Sequence, residues 1–98
     1  MRTYRYAVSM QVPLGIRLGR LVLYEQQGRL SGELEVLGHI EPLAGTIGTD
    51  GRCEIAGNII SAVRTIPYRA VGAIKGQVIH LTVHGEKDDL FYITGAEE

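Results

Sequence analysis

Glycine residues recur in phase with apolar residues along this chain, and no other feature constrains the fold as strongly. The sequence reads LSGEL at 30–34, LAGTI at 43–47 and IAGNI at 55–59, and Gly72 and Gly95 repeat the pattern. The period-two alternation is typical of strands with one buried face. A glycine on that face lets a strand coil sharply or another backbone come close. The pattern therefore favours a curved, closed antiparallel sheet.

Turn signals divide the whole chain into short segments of this kind. Eight strands are predicted, at residues 3–12, 16–25, 29–37, 43–48, 52–60, 66–74, 78–84 and 90–95. Turns every 8 to 12 residues or so are typical of a barrel or sandwich. No segment with a helical period separates the strands, which argues against a parallel βαβ arrangement. We predict one domain over residues 1–98, an eight-stranded antiparallel up-and-down barrel, with a two-sheet β-sandwich as the alternative.

Three segments depart from the simple pattern. The apolar parity changes between residues 16–18 and 21–23, which predicts a β-bulge at 19–20. Residues 38–42 are predicted as a loop because Pro42 ends that segment. Residues 61–65 carry no clear pattern, so a loop, a bulged strand and a single helical turn all remain open.

Composition and charge narrow the classes of partner. The 98 residues carry a formal net charge of -1, and the pI is about 6.3. A chain so nearly neutral has no strong field to recruit a polyanion, so we expect no nucleic-acid partner. Cys53 is the single cysteine, which excludes an intramolecular disulfide. The N-terminal residues lack a signal-peptide pattern and no apolar run approaches membrane-spanning length, so we expect a cytoplasmic protein without a membrane partner.

No constellation of residues predicts catalysis, a cofactor or a metal site. His80 and His84 lie four residues apart on a predicted strand, roughly 13 Å from each other, and cannot share one metal ion. Cys53 shares the phase of buried residues, and nothing beside it supplies the base that a nucleophilic thiol needs. No phosphate-binding glycine loop is present. Whether the protein is an enzyme stays open, although the sequence favours a protein that is not one.

Tyrosines on the predicted buried face are the strongest candidates for a site. Tyr4, Tyr6 and Tyr68 all fall on the core phase of their strands. A buried tyrosine needs a partner for its hydroxyl. In a hollow barrel the three would line a pocket, and Arg64 would meet an anionic head group near its opening. In a filled barrel they would be structural aromatics.

Short motifs add a family resemblance. The tripeptides PLG at 13–15, LAG at 43–45, IAG at 55–57 and IPY at 66–68 lie within strand-turn-strand units. In this pattern most of the chain resembles small calycin-like up-and-down β-barrel proteins of bacteria, whose function is unassigned. The resemblance implies a closed barrel, and calycins often bind small apolar molecules inside it.

Two functional hypotheses follow from these observations. The first is non-enzymatic binding of a small, mostly apolar ligand within the barrel, with the three tyrosines and Arg64 as contacts. The alternative is an interaction or assembly module with a filled barrel, either a homodimer or an accessory to a larger enzyme. Outward apolar residues such as Val71, Ala73 and Val78 would supply its interface. An internal cavity would favour the ligand, and a packed interior with exposed apolar surface would favour the module.

Overall fold

Eight β-strands account for almost the whole chain in the computed structural model, which describes residues 1–98. They are β1 (Arg2–Val12), β2 (Gly15–Gln26), β3 (Arg29–Val36), β4 (His39–Ile47), β5 (Arg52–Ile60), β6 (Thr65–Lys75), β7 (Val78–His84) and β8 (Leu90–Glu97). Every strand pairs antiparallel with its neighbours in sequence, and β8 returns to β1, so the sheet closes into a barrel. The predicted up-and-down barrel is confirmed, and the sandwich alternative is excluded. No helix in the chain is long and apolar enough to cross a lipid bilayer.

Alternation along the strands builds the core. In β1 the side chains of Tyr4, Tyr6, Val8 and Met10 are all buried, whereas Arg5 between them is exposed. The other strands follow the same rule, and 21 buried hydrophobic side chains form a single cluster inside the barrel. No polar or charged residue belongs to that cluster. The hydrophobic effect of closing the sheet therefore acts through one face of every strand.

Inward glycines allow neighbouring strands to approach closely. A Cβ atom on Gly32 or Gly45 would lie 1.9 Å from a carbonyl oxygen of the adjacent strand, and one on Gly72 would lie 1.8 Å from His80 O. Real Cβ atoms do not approach oxygen so closely, so each position requires glycine. This confirms that the in-phase glycines shape the wall of the barrel.

The connections divide between two ends of the barrel. The end where β1 begins carries the turns at residues 27–28, 48–51 and 76–77; we call it the cleft end. The opposite end carries the β1–β2 turn at Pro13 and Leu14 and the connections at 37–38, 61–64 and 85–89. We call this second end the hairpin end, because the β1–β2 hairpin extends farthest there.

The predicted bulge in β2 is wrong. Pairing of β1 with β2 runs without interruption from Val12 opposite Gly15 to Arg2 opposite Glu25. Ile16 and Leu18 instead point outward and are 62% and 77% exposed. The sequence pattern failed here because exposed apolar residues produce the same change of parity as a bulge does.

The predicted loop at 38–42 is also wrong, because β4 already begins at His39. Proline is tolerated within this strand because β4 pairs with β5 only from Leu43 opposite Gly57 onwards, so Pro42 loses no ladder hydrogen bond there. The open question at 61–65 is resolved as a tight connection. Ser61 N donates to Arg64 O at 2.9 Å, the Ser61 hydroxyl accepts from Arg64 N at 3.2 Å, and β6 begins at the next residue.

Candidate functional site

The interior of the barrel is filled by its own side chains. Tyr6 and Leu23 have no exposed surface, and neither have Ala70, Ile79 and Val83 on other strands. The predicted tyrosines Tyr4, Tyr6 and Tyr68 are all buried members of this core. A site for a small molecule must therefore lie where the core meets solvent, at an end of the barrel or on its outer wall.

An aromatic stack reaches the surface at the cleft end. The rings of Tyr4 and Tyr6, two residues apart on β1, lie nearly parallel, with centroids 6.1 Å apart and planes inclined by 7°. The guanidinium carbon of Arg2 lies 4.4 Å from the centroid of the Tyr4 ring, in cation–π geometry. Because all three side chains point to one face of the same strand, alternation alone builds the ladder.

Tyr4, the outer ring of the stack, and Arg2 line a solvent-open cleft of about 480 Å³. The cleft is lined by Arg2, Tyr4, Glu25, Gly28, Ile47, Gly48, Thr49, Asp50, Gly51, Ile74 and Gly76. Its size lies within the range typical of ligand pockets. Ile47 and Ile74 supply aliphatic surface in the cleft in addition to the Tyr4 ring. The other lining residues are charged, polar or glycine.

Backbone hydrogen bonds hold the rim of the cleft in place. Ile47 N donates to Gly28 O, and Ile74 N donates to Gly51 O, each at 2.9 Å. These bonds connect turns to strands that are not their own. The rim is thereby cross-linked before any ligand arrives, which lowers the entropic cost of binding.

Charged groups in the cleft are incompletely paired. Arg2 makes no ion pair with any carboxylate, and Glu25 only accepts a long hydrogen bond of 3.4 Å from the Tyr4 hydroxyl. Asp50 lies 3.7 Å from the guanidinium of Arg52, and both side chains are largely exposed. The cleft therefore offers one cationic donor group and two anionic acceptor groups beside an apolar surface.

No local pattern in the sequence indicates that Arg2, Glu25 and Asp50 share a site. Arg2 is the first residue of β1 and Glu25 is the second-last residue of β2, and the two lie directly opposite each other in the β1–β2 ladder. The register of β1 with β2 would have placed Arg2 beside Glu25. The bulge predicted at 19–20 shifts that register by one residue and so hid the pair. Asp50 lies in the turn between β4 and β5.

Tyr6 carries a buried hydroxyl without a hydrogen-bond partner. Loss of solvent raises the pKa of this group well above its ordinary value, and the negative charge of Glu97 acts in the same direction. Burial also raises the pKa of the Tyr4 hydroxyl, an effect that Arg2 opposes. Both phenols are therefore neutral at physiological pH, and only the Tyr4 hydroxyl makes a hydrogen bond, to Glu25.

The other two candidate residues lie towards the opposite end of the barrel. Arg64 belongs to the β5–β6 connection at the hairpin end, where its guanidinium pairs with the carboxylate of Asp89 in the β7–β8 connection. Tyr68 lies in the first half of β6, beside Gly57. The structure thus keeps Tyr4 and Tyr6 together but separates them from Arg64. The predicted single site of three tyrosines and Arg64 is not formed, and Arg64 joins two connections of the chain.

A second surface cleft lies on the outer wall. It measures about 700 Å³, and Val71, Ala73, His80 and Tyr92 are among its lining residues. Val71 and Val78 are partly exposed, in agreement with their predicted outward orientation. This wall is a regular sheet surface whose backbone is fully paired with neighbouring strands.

Other groups of chemical interest are isolated. No three His, Cys, Asp or Glu residues are arranged to hold a metal ion. Burial raises the pKa of the Cys53 thiol to about 11, so it is not a thiolate at neutral pH. His80 and His84 are exposed on β7. None of these residues extends the cleft-end site.

Comparison with known proteins identifies no relative. The chain matches no protein-family model, no curated protein and no solved structure. The calycin-like resemblance stays a prediction from motifs, because the shape of a barrel alone does not confirm it.

Proposed function

We propose that the protein binds a small molecule at the cleft end, with an apolar part against the cleft wall and a zwitterionic head group at its rim. The observation that best supports the proposal is the cleft of about 480 Å³, in which Arg2 and Glu25 lie beside Tyr4 and have no ion-pair partner. This proposal moves the ligand from the filled interior, where the sequence predicted it, to the mouth of the barrel.

Complementarity supports this class of ligand. The guanidinium of Arg2 is positioned to donate to a carboxylate, and the carboxylates of Glu25 and Asp50 are positioned to accept from an ammonium group. Ile47 and Ile74 provide contact surface for an aliphatic or aromatic side chain. Amino acids with apolar side chains carry all three features.

The binding needs no catalytic group. Both phenols of the stack are neutral at physiological pH, and Cys53 is buried with a protonated thiol. A small fold with one free cysteine suits the reducing cytoplasm, where we place this function.

Titration of the protein with three matched compounds tests the proposal. L-leucine carries both charges, L-leucinamide lacks the carboxylate and N-acetyl-L-leucine lacks the ammonium group. We expect L-leucine to bind most tightly and to shift the NMR signals of Tyr4, Ile47 and Ile74. A charge-assisted hydrogen bond is worth about 1.5–3 kcal/mol, so the loss of either charge should weaken binding about tenfold or more.

Variants at the rim complete the experiment. Arg2→Gln should abolish the preference for a carboxylate, and Glu25→Gln should abolish the preference for an ammonium group. Arg5→Gln is the matched control, because Arg5 is exposed on the outer face of the same strand. Equal binding of all three compounds, or signals that shift only at the hairpin end, would exclude the proposed site.

The alternative function, an assembly module with a filled barrel, is favoured by a separate observation at the hairpin end. There one strand of the barrel has an unpaired edge bordered by exposed apolar side chains. Because the cleft and this edge lie at opposite ends, one function does not exclude the other.

A further inference from the structure

The cleft on the outer wall is larger than the one at the cleft end, and the proposed function does not use it. It measures about 700 Å³, and its lining residues come from β5, β6, β7 and β8 and from the turn before β5. We call it the wall cleft. Ligand pockets measure about 300–1,000 Å³, so the wall cleft is large enough for a small molecule. Of its charged residues only Asp50 also lines the cleft end.

The register of three strands brings nitrogen-bearing side chains together around one small residue. On the outer face, Ala73 of β6 lies directly opposite Arg52 of β5 and directly opposite His80 of β7. Lys75 follows Ala73 by two residues and therefore shares its face of β6. Neighbouring strands are about 4.8 Å apart, so the backbones of Arg52 and His80 are roughly 10 Å apart. Only the methyl group of Ala73 lies between them, which leaves a gap surrounded by three donors.

The wall formed by β6, β7 and β8 contains no outward-facing carboxylate. Its outward residues include one arginine, one lysine and two histidines but no aspartate or glutamate. The whole chain, by contrast, has 11 acidic residues against 10 lysines and arginines. On the opposite wall charges alternate in sign, and Arg20 of β2 lies directly opposite Glu35 of β3. The wall cleft therefore lies in the part of the barrel surface most favourable to an anion.

Two carboxylates border the wall cleft on its β5 side, and neither neutralises it. Asp50 Oδ2 lies 3.7 Å from Nε of Arg52, and both side chains are largely exposed. An exposed pair at this distance contributes little, so Arg52 can exchange Asp50 for a better acceptor. Glu54 lies opposite Val71 and does not line the wall cleft. Lys75 makes no ion pair at all.

An apolar and aromatic surface adjoins the three donors. Val71 and Tyr92 both lie opposite Thr82, one on each side of it, and are 38% and 47% exposed. Tyr92 is also the diagonal neighbour of His80, at a spacing that aromatic side chains bridge. The exposed Tyr92 ring offers a face on which a planar ring can stack. The hydroxyl of Thr94 lines the same cleft and can donate or accept.

We propose that the wall cleft binds a small phosphate ester that carries a planar ring, of the class of nucleoside monophosphates. The phosphate lies over Ala73 and accepts from Arg52, Lys75 and His80. Arginine and lysine both donate charge-assisted hydrogen bonds to phosphate. The ring lies against Val71 and Tyr92.

The distance between the two surfaces favours a nucleotide over a compact aromatic acid. Ala73 and Tyr92 are separated by two strand spacings and by two residues along the strand, which is roughly 12 Å between backbones. In a nucleoside monophosphate the sugar separates the phosphate from the base. In an aromatic carboxylate the anionic group lies close to the ring, so the ligand cannot reach both surfaces.

Titration of the isotope-labelled full chain with three compounds, followed by NMR, tests the proposal. Adenosine monophosphate carries both features, adenosine lacks the phosphate and inorganic phosphate lacks the ring. We expect adenosine monophosphate to bind about tenfold or more tightly than either of the others, because each contributes part of the contact. It should shift the backbone signals of Ala73, His80 and Tyr92. Equal binding of adenosine and its monophosphate, or shifts confined to the cleft end, would overturn the proposal.

A pair of charge variants separates a site from general attraction to a basic wall. Lys75→Gln should weaken the binding of adenosine monophosphate about tenfold. Arg69→Gln is the matched control, because Arg69 is exposed on the outer face of the same strand but does not line the wall cleft. It should bind as the wild type does. An equal loss in both variants would mean that no defined phosphate site exists.

A change of shape without a change of charge tests where the phosphate lies. Ala73→Val fills the gap between Arg52 and His80 and should weaken binding about tenfold. Ala56→Val is its control, since Ala56 is exposed on the outer face of β5 outside the wall cleft. Thermal unfolding verifies that both variants are folded. Unchanged binding by a folded Ala73→Val variant would exclude the proposed position.

Two further measurements complete the experiment. Asp50→Asn retains an oxygen that can accept from Arg52 N, as Asp50 Oδ1 does at 3.1 Å, but removes the negative charge. It should strengthen the binding of adenosine monophosphate several-fold, and weaker binding would contradict the charge argument. Binding of L-leucine at the cleft end should be the same in Lys75→Gln and Ala73→Val as in the wild type, so the two proposed sites can fail independently.

Discussion

The two ends of the barrel are built from the same eight strands, yet they are closed in different ways. At the cleft end, backbone bonds such as Ile47 N to Gly28 O and Glu97 N to Gln77 O connect turns and strand ends around the rim. At the hairpin end, β2 separates from β3 and β4 separates from β5, and the Arg64–Asp89 ion pair joins two of the connections. Closure of the sheet thus pairs the backbone of every strand at its middle. The lengths of neighbouring strands determine which backbone groups stay unpaired at each end of the barrel.

The two ends of the barrel therefore offer different surfaces to a binding partner. A cross-linked rim is suited to holding a small ligand at low entropic cost, as we propose for the cleft. At the hairpin end, residues 15–18 of β2 have no ladder partner on the β3 side, and the apolar side chains of Ile16 and Leu18 are exposed there. Three predictions test how far the contrast between a closed wall and an open rim extends to stability.

The largest contrast is expected within β2 itself. Leu23 has no exposed surface, whereas Leu18 on the same strand is mostly exposed beyond the closed wall. Leu23→Ala should lower the free energy of unfolding by about 2–5 kcal/mol because it leaves a cavity in the core. Leu18→Ala should change it by no more than about 0.5 kcal/mol. Urea unfolding of both variants at a concentration that keeps the chain monomeric checks this, and similar losses would contradict the division of β2.

Glycines in the wall and at the rim should differ by a smaller amount. A Cβ on Gly72 would lie 1.8 Å from His80 O, whereas one on Gly48 would first meet the side chain of Asp50, at 3.0 Å. Gly72→Ala should therefore cost roughly 1–3 kcal/mol through overpacking of the strands. Gly48→Ala should cost much less, because an exposed side chain can move. Thermal unfolding compares the two, and an equal cost would show that the wall tolerates a wider strand spacing.

Alkaline pH should weaken the closed wall gradually. Burial raises the pKa of Cys53 from 9.0 to about 11 and that of Tyr68 from 10.0 to about 12. Both groups are neutral in the folded state and ionise more readily when unfolded. Their contribution to stability is therefore complete below pH 9 and is lost as the pH rises to about 12, at up to about 1.4 kcal/mol per pH unit for each group.

Tyr68→Phe separates the two contributions. Its free energy of unfolding should fall less steeply between pH 10 and 12 than that of the wild-type protein. Below pH 9 the two proteins should show the same dependence on pH. An unchanged slope in the variant above pH 10 would mean that the Tyr68 hydroxyl reaches solvent in the folded state.

Alternation and in-phase glycines were sufficient to predict the class of fold. The alternation of apolar and polar residues within a strand indicates its buried face. Gly32, Gly45 and Gly72 mark positions where neighbouring strands lie in close contact. The same reasoning predicted that Tyr4, Tyr6 and Tyr68 are buried, because the phase of a residue on a strand is a local property. It failed at β2, where Ile16 and Leu18 are apolar and exposed, since apolarity normally signals burial.

By itself, the amino-acid sequence determined that the chain forms eight strands and which face of most strands is buried, because both follow from neighbours in the chain. Only the tertiary structure decided which ends of different strands meet. Closure of the sheet brought Arg2 beside Glu25 and carried Arg64 to the far end from Tyr4. The stagger of strands with unequal lengths left residues 15–18 without a ladder partner on the β3 side. Register and stagger are properties of the closed sheet as a whole, so no local pattern encodes the cleft or the point where the β2–β3 ladder ends.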